Sequence, residues 1–413
     1  MSVGAEPVVL ISGGGPVGLA LAAWLDAVRF DLGIWVVEPR ELPQWREEQT
    51  DLRVYALSRA SQRVLERVGA WPSIAVRRAC RYERMHVWEG DDPDGPASIR
   101  FDCADVGEPD LGHIVEDVLL RDALVTRLAE SSRVRIATGC AVESVDVGTD
   151  AAVVSLSDGR TVRASLVVAA DGGESPVRAM LDLPVVSRSY RQSAIVAHVA
   201  TERPHERVAR QRFLPGGPLA LLPLSDGRSS IVWSLPEPRA ERLLAAGDDE
   251  FVAALEDASG RVLGRLGPVS RRARFRLQIL HALRYCCPRG VLVGDAAHVA
   301  HPLAGQGMNL GLADAACLAA EIEAALAAGL DPGDVRVLRR YERRRKADNI
   351  NMLLALDGLH RLFGLPAAAA PIRAFGLALT DAVGPAKQWL MRRALGLHLD
   401  CEATRGGGRV VRT

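Results

Sequence analysis

Val8-Val9-Leu10-Ile11-Ser12-Gly13-Gly14-Gly15-Pro16-Val17-Gly18, followed after a short interval by Ile34-Trp35-Val36-Val37-Glu38, decides how this chain is read. The first run is almost wholly apolar and stops at glycines, the pattern of a strand buried on both faces. From Pro16 to about Arg29, Val17, Leu19, Leu21, Trp24 and Leu25 stand among small residues, which predicts a helix lying close to a sheet. Ile34 to Glu38 is the next strand, so strand, helix and strand follow one another as a βαβ unit. Gly13, Gly15 and Gly18 form G-x-G-x-x-G, and Glu38 falls 20 residues beyond Gly18. In that context the glycines have separate duties: Gly13 permits the tight turn, Gly15 lets backbone approach a pyrophosphate, and Gly18 lets the helix settle on the sheet. The helix N-terminus offers free N–H groups to phosphate. Glu38 can accept from ribose hydroxyls and would repel a 2′-phosphate, which favours FAD or NAD over NADP as the tightly held nucleotide.

Two further stretches repeat the theme of a strand ending at a loop. Val167 to Ala170 runs into Asp171-Gly172-Gly173-Glu174-Ser175-Pro176-Val177-Arg178. Asp171 and Ser175 read as loop-ordering groups and Arg178 as a fixed cation near the nucleotide. Ser175 before Pro176 also reads as a helix N-cap. Val291-Leu292-Val293 runs into Gly294-Asp295-Ala296-Ala297-His298, and Pro302-Leu303-Ala304-Gly305-Gln306-Gly307-Met308-Asn309 then feeds a helix. Asp295 is placed to accept from ribityl hydroxyls. The loop from Gly305 to Asn309 exposes amides, and the helix after it directs a positive end at whatever lies there.

The remaining composition bounds the reading. A chain of 413 residues with 48% hydrophobic and 25% charged residues can bury a substantial core. Lys plus Arg and Asp plus Glu balance at 51 each, which gives nucleic acid no electrostatic purchase. No apolar run reaches the ~18 residues of a membrane span, and no basic segment precedes the first apolar run as in a secretory signal. The seven cysteines lack C-x-x-C spacing and read as reduced thiols of a cytoplasmic protein; a redox role for adjacent Cys286 and Cys287 is the weaker reading. His298 and His301 stand three apart without an evident third ligand, so no metal is expected.

The expected fold is mixed α/β: a Rossmann-like nucleotide domain over residues 1–78, 102–186 and 285–340, interleaved with a β-rich substrate domain over 79–101 and 187–284. A β meander is expected over 134–164, with its first segment at Val134 to Ala137. Helices over 341–400 and a Gly/Arg-rich disordered tail over 401–413 complete the chain.

Three motifs in this order resemble the p-hydroxybenzoate hydroxylase type of single-component flavoprotein monooxygenase. The resemblance runs over essentially the whole chain. Within that family, several segments are similar to the ubiquinone-biosynthesis hydroxylases: Arg53-Val54-Tyr55-Ala56-Leu57-Ser58, Gly112 to Glu116, Pro218 to Leu224 with Ser230 to Ser234, Pro302 to Leu312, and the C-terminal spacing of Phe363, Arg373 and Lys387. Asp117 departs from the usual Asn after Glu116. The resemblance implies non-covalent FAD held by the three motifs, with Arg53 and Arg121 at the flavin or its diphosphate and Asp171 linked to both FAD and NAD(P)H. It implies that NADPH or NADH reduces the flavin without a second nucleotide fold, that O2 adds to give a flavin hydroperoxide, and that an electron-rich polyprenylated phenol attacks it. Pro302 should then border the ring face where oxygen reacts, and His298 should handle protons or fix the loop. Two other activities fit the flavin motifs: hydroxylation of a polyketide or pigment precursor, and reduction of isoprenoid double bonds. A non-catalytic FAD-binding scaffold is a third reading. The C-terminal apolar positions Ile372, Phe375, Leu379, Val383, Trp389, Leu390, Met391, Leu395 and Leu397, with interspersed Arg361, Arg373, Lys387, Arg392 and Arg393, suggest peripheral contact with the inner face of a membrane, alone or within a biosynthetic complex.

Overall fold

The computed structural model describes residues 7–397. The tail over 401–413 lies outside them. Val8–Ser12 sits inside a six-stranded sheet, parallel to Gly33–Glu38 on one side and to Leu166–Ala169 on the other. Gly290–Leu292 continues the parallel order beyond Leu166–Ala169, and Cys286–Cys287 closes that edge antiparallel. Three strands therefore end at one rim, and each releases one of the three loops found in the sequence. The helix Pro16–Asp26 covers the first strand and is buried almost all round. It packs against the helices Asp117–Leu128 and Gln306–Ala327, which explains why its residues are small or apolar on every side.

Val134–Thr138 does not belong to the meander expected from sequence. It is the far edge of the parallel sheet, with Ile34 opposite Val134. An edge strand is half-covered, so it alternates like a meander strand, and the pattern alone cannot say which sheet it joins. The true meander has three strands, Val142–Val147, Ala152–Leu156 and Thr161–Ala164. A second small sheet was not anticipated: Val54–Leu57, Gly112–Glu116 and Cys80–Tyr82 pair antiparallel. A helix at Glu237–Ala245 was likewise missed.

The largest sheet has nine strands. Its spine is the 17-residue strand Val185–Thr201, paired antiparallel with Ala273–Ala282 and with Ser229–Pro236. Gly217–Pro223, Val208–Leu214, Arg84–Glu89 and Ser98–Asp102 extend it. The chain leaves the parallel sheet after Leu166–Ala169, builds most of this sheet, and returns through Gly290–Leu292. One face is sealed by Glu237–Ala245 and Asp248–Ser259 around Phe251 and Trp233. The other includes Val87, Ile99 and Phe213, which meet Leu303 of the loop following Pro302. The helices Val335–Phe363, Ala370–Ala382 and Gly384–Ala394 finish the described chain. Among the described residues no helix is long and apolar enough to cross a membrane.

Candidate functional site

The first loop is built as the fingerprint requires. Gly13 has φ +115°, and a Cβ there would fall 2.3 Å from the Ala170 carbonyl oxygen. A Cβ on Gly18 would fall 2.2 Å from the Gly13 carbonyl oxygen. These two glycines are demanded by protein packing. Gly15 differs, because a Cβ there would meet nothing within 4 Å. The space beside Gly15 is open at the uncapped N-terminus of Pro16–Asp26, where a diphosphate is favoured. Glu38 accepts from the Gly14 amide at 2.7 Å and from the Arg40 amide at 3.2 Å, so its carboxylate is held beside the loop. Each oxygen keeps a lone pair for a ribose hydroxyl. Arg121 donates to the Gly14 carbonyl at 3.1 Å, which brings it to the diphosphate end of the cleft. Asp117, the departure from the family pattern, accepts from the Tyr55 hydroxyl at 2.8 Å and lies 3.7 Å from Arg121. An Asn carbonyl could accept the same hydroxyl, so the change keeps the contact.

The second loop is pinned from within. Ser175 caps the short helix Pro176–Met180 by accepting from the Arg178 amide at 2.9 Å. Asp171 accepts from the Val177 amide at 3.2 Å, while its other carboxylate oxygen is buried without a partner. Burial raises the Asp171 carboxyl above its ordinary range, against the opposing effects of Ser175, nearby amides and Arg178. Arg178 is not a free cation. Its guanidinium donates to the carbonyls of Gly173 and Ala296, each at 2.8 Å, and so ties the second loop to the third.

In the third loop, Gly294 has φ +60° and Gly311 would strike Val17 at 2.6 Å if it carried a Cβ. The two helices therefore approach closely at the loop. Asp295 is exposed to the cleft, though protein surrounds that cleft. Burial raises its carboxyl, and only the charges of His298 and Arg53 oppose the shift. Arg53 also feels Tyr55, Asp117 and Asp51. Asp295 and Arg53 are thus near enough for each to feel the other's charge.

His298 lies behind the loop. It is 0% exposed and bonds Asp314 at 2.6 Å through Nε2. Asp314 also accepts from the Gly294 amide at 3.1 Å, from Arg345 Nε at 2.8 Å and from Asn349 at 3.1 Å. This geometry supports the loop-fixing role for His298 and gives it no path to a substrate. Asp314, Arg345 and Asn349 were missed in the sequence. The signal was an acid, Asp314, standing among the small and apolar residues from Leu310 to Ala320, where burial demands a paired charge.

Asn309 also acts within the protein. It accepts from the Ser58 amide at 2.9 Å and from the Ser61 hydroxyl at 2.7 Å, and donates to the Ala56 carbonyl at 3.0 Å. It clasps the small sheet to the third loop. Gly305 has φ +60°, and Gly307 has open space where a Cβ would stand. Gln306 is buried and Met308 packs against the main core. Pro302 is half-buried and sits between His301 and Leu303. His301 is 1% exposed and packs edge-on to Tyr190 at 4.9 Å.

The three loops thus converge on one cleft with open backbone at Gly15 and Gly307, an unpartnered buried oxygen on Asp171, and an accessible carboxylate at Asp295. These features fit a flavin adenine dinucleotide laid along it. The comparisons agree. The model of the family described as FAD binding domain matches residues 6–353. Ubiquinone hydroxylase UbiL of Rhodospirillum rubrum is 38% identical over 94% of this chain and 89% of its own length. The human mitochondrial ubiquinone biosynthesis monooxygenase COQ6 is 35% identical over 93% of this chain and 91% of its own. Among solved structures, PqsL of Pseudomonas aeruginosa, a probable FAD-dependent monooxygenase, superposes with a TM-score of 0.75 over 90% of this chain and 99% of its own, at 24% identity, a likeness of fold. The chain belongs to the FAD binding domain family, and FAD is its cofactor.

Proposed function

We propose that this protein hydroxylates the aromatic ring of a polyprenylated phenol in ubiquinone biosynthesis, using FAD, NADPH or NADH as reductant, and O2. The observation that carries the reading is the convergence of three flavin-type loops beneath an apolar sheet face, in a chain 38% identical to a ubiquinone hydroxylase. When bound, FAD supplies the redox chemistry and the activation of oxygen. The protein's own work is placement. Gly15 and the helix behind it receive the diphosphate, with Arg121 near. Glu38 receives the adenosine ribose, Asp295 the ribityl chain, and the amides around Gly307 the ring. Pro302 and Leu303 form the floor of the chamber in which a phenol would lie. The sheet residues Val87, Ile99 and Phe213 close it from the other side and exclude water. A strain lacking the protein should accumulate a prenylated phenol short of one ring hydroxyl. An unaltered quinone profile would contradict this.

The proposal extends to peripheral contact with the inner membrane face. Ile372, Phe375, Leu379 and Trp389 are exposed at 71%, 69%, 50% and 60%. The first three share one face of Ala370–Ala382, and the substrate's tail requires access to lipid. The basic residues contribute less than the sequence suggested. Arg373 is buried against Glu89, Lys387 pairs with Asp105 and Asp381, and Arg361 pairs with Asp357. Among the described residues Arg392 is exposed, and Arg361 is 64% exposed beside Asp357, while Met391 and Leu395, expected on the lipid face, are instead buried against Val106 and Leu111.

A further inference from the structure

The nine-stranded sheet has one sealed face and one open face. Leu219, Leu221, Ile231 and Trp233 are at most 1% exposed beneath the two covering helices. Their chain neighbours Ala220, Leu222 and Val232 point the other way and are only half-buried, although they lie at the middle of the sheet. Accessible side chains at the centre of so wide a sheet mean that a chamber stands over them.

Strand register defines one row across that face. Val196 pairs with Val232, Val232 with Ala220, Ala220 with Gln211, Gln211 with Val87, and Val87 with Ile99. Paired residues share a face. Val87 and Ile99 pack with Leu303, so the row looks onto the loop that follows Pro302. Within this row of Val, Ala and Ile, Gln211 is polar. It is 7% exposed; its backbone pairs within the sheet, and its side-chain amide hydrogen-bonds to no described residue. On the next row His198 and Ser230 also lack partners, but their polar atoms are sealed from solvent. The Gln211 amide is instead beside half-buried Ala220, at the edge of the chamber. Its amide is not sealed in protein as those groups are, so it stands in an otherwise apolar row with its hydrogen-bonding capacity turned to the chamber, where a ligand can pair with it.

We propose that Gln211 hydrogen-bonds an oxygen on the substrate's aromatic ring and thereby fixes which ring carbon faces the flavin loop. This rests on the phenol hydroxylase reading above. The ring would lie between the loop at Pro302 and Leu303 and the row at Ala220 and Gln211. The small side chains at Ala220 and Val232 leave room for it.

The test uses FAD-loaded enzyme with NADPH and a 2-prenylphenol as probe. In Gln211→Met, which keeps the volume and removes the amide, FAD content should be unchanged. KM for the phenol should rise about three- to tenfold, and hydroxylated product per NADPH should fall as hydrogen peroxide takes its place. Gln211→Glu, which keeps a hydrogen-bonding oxygen, should recover much of the coupling, and Gln211→Leu, which also removes the amide, takes the place of the Met variant if that one fails to fold. Wild-type values of KM and coupling in the Met or Leu variant would overturn the assignment of Gln211. Absence of any hydroxylated product from the wild-type enzyme would instead overturn the phenol reading on which it rests.

Discussion

Asp295 is where the account is most exposed at the level of single residues. Its carboxyl is raised by burial, and only two charges oppose the shift. An acid whose folded pKa stands above its unfolded value of ~3.9 penalises the folded state as it ionises. The penalty is absent below the unfolded value, grows as pH rises through the folded value, and is complete above it. Asp295→Asn should therefore raise the melting temperature of FAD-free protein at pH 7, with the difference vanishing near pH 4. The same change removes a charged acceptor from the ribityl chain. It should raise the FAD dissociation constant by a factor corresponding to about 1.5–3 kcal/mol. Calorimetry and flavin titration read the two effects separately, and a variant that loses stability without losing FAD affinity would remove Asp295 from the site. Gly15→Val offers a second check, since it places a side chain in open space that the diphosphate needs. Full FAD occupancy in that variant would contradict the first loop's assignment. Gly13 and Gly18 were legible in the sequence because the close backbone packing at each admits no side chain. Gln211 was not, because an alternating strand looks the same whether its polar member faces water, a buried partner or a ligand.

Between loops and helices, the decisive element is the buried group behind the third loop. Asp314 holds Gly294, His298, Arg345 and Asn349 together. Burial alone would raise its carboxyl, but His298 and Arg345 outweigh burial and bring it down to about 2. The sign is opposite to that of Asp295. The stability contributed by Asp314 is present above the unfolded value of ~3.9 and is lost as pH falls toward 2. Asp314→Ala leaves buried Arg345 with only the partly exposed Asp348 carboxylate, at 3.3 Å, as a charged partner and should cost about 3 kcal/mol in urea unfolding. A cost under about 1 kcal/mol would mean the cluster relaxes around the gap. Arg178 makes a related prediction. Because its guanidinium serves the carbonyls of Gly173 and Ala296, Arg178→Ala should weaken FAD binding by loosening two loops together. Unchanged FAD affinity with slowed reduction by NADPH would return Arg178 to the reductant. At this scale the sequence was read unevenly. The three strand-to-loop transitions were visible from their glycines. The short strands Val54–Leu57 and Gly112–Glu116 were not, because a strand of four or five residues carries too little periodicity. Val134–Thr138 was seen as a strand and put in the wrong sheet, since alternation reports burial on one face and not the neighbour that provides it.

For the molecule as a whole, the interleaving of a parallel sheet with a larger antiparallel one places the flavin-type loops opposite an open sheet face. The alternation of segment types along the chain made that arrangement readable in outline. The chamber over Ala220 and Val232 was not readable, because it depends on register among strands distant in sequence. The C-terminal face gives a prediction at the same scale. Replacing exposed Ile372, Phe375 and Leu379 together by Ser should leave folding intact and reduce flotation with liposomes containing anionic lipid. Equal flotation of the two proteins would exclude this face as the lipid contact. The central claim is that the chain transfers one atom of molecular oxygen to a prenylated phenol at the expense of NADPH or NADH. Its most direct test is turnover under isotopically labelled O2 with FAD-loaded protein, followed by mass analysis of the product. The account predicts a ring-hydroxylated phenol carrying one labelled oxygen and no product under anaerobic conditions. A product that forms without oxygen and gains hydrogen instead would contradict the claim in favour of an isoprenoid reductase, and FAD-loaded protein that never oxidises the reductant would contradict it in favour of a scaffold.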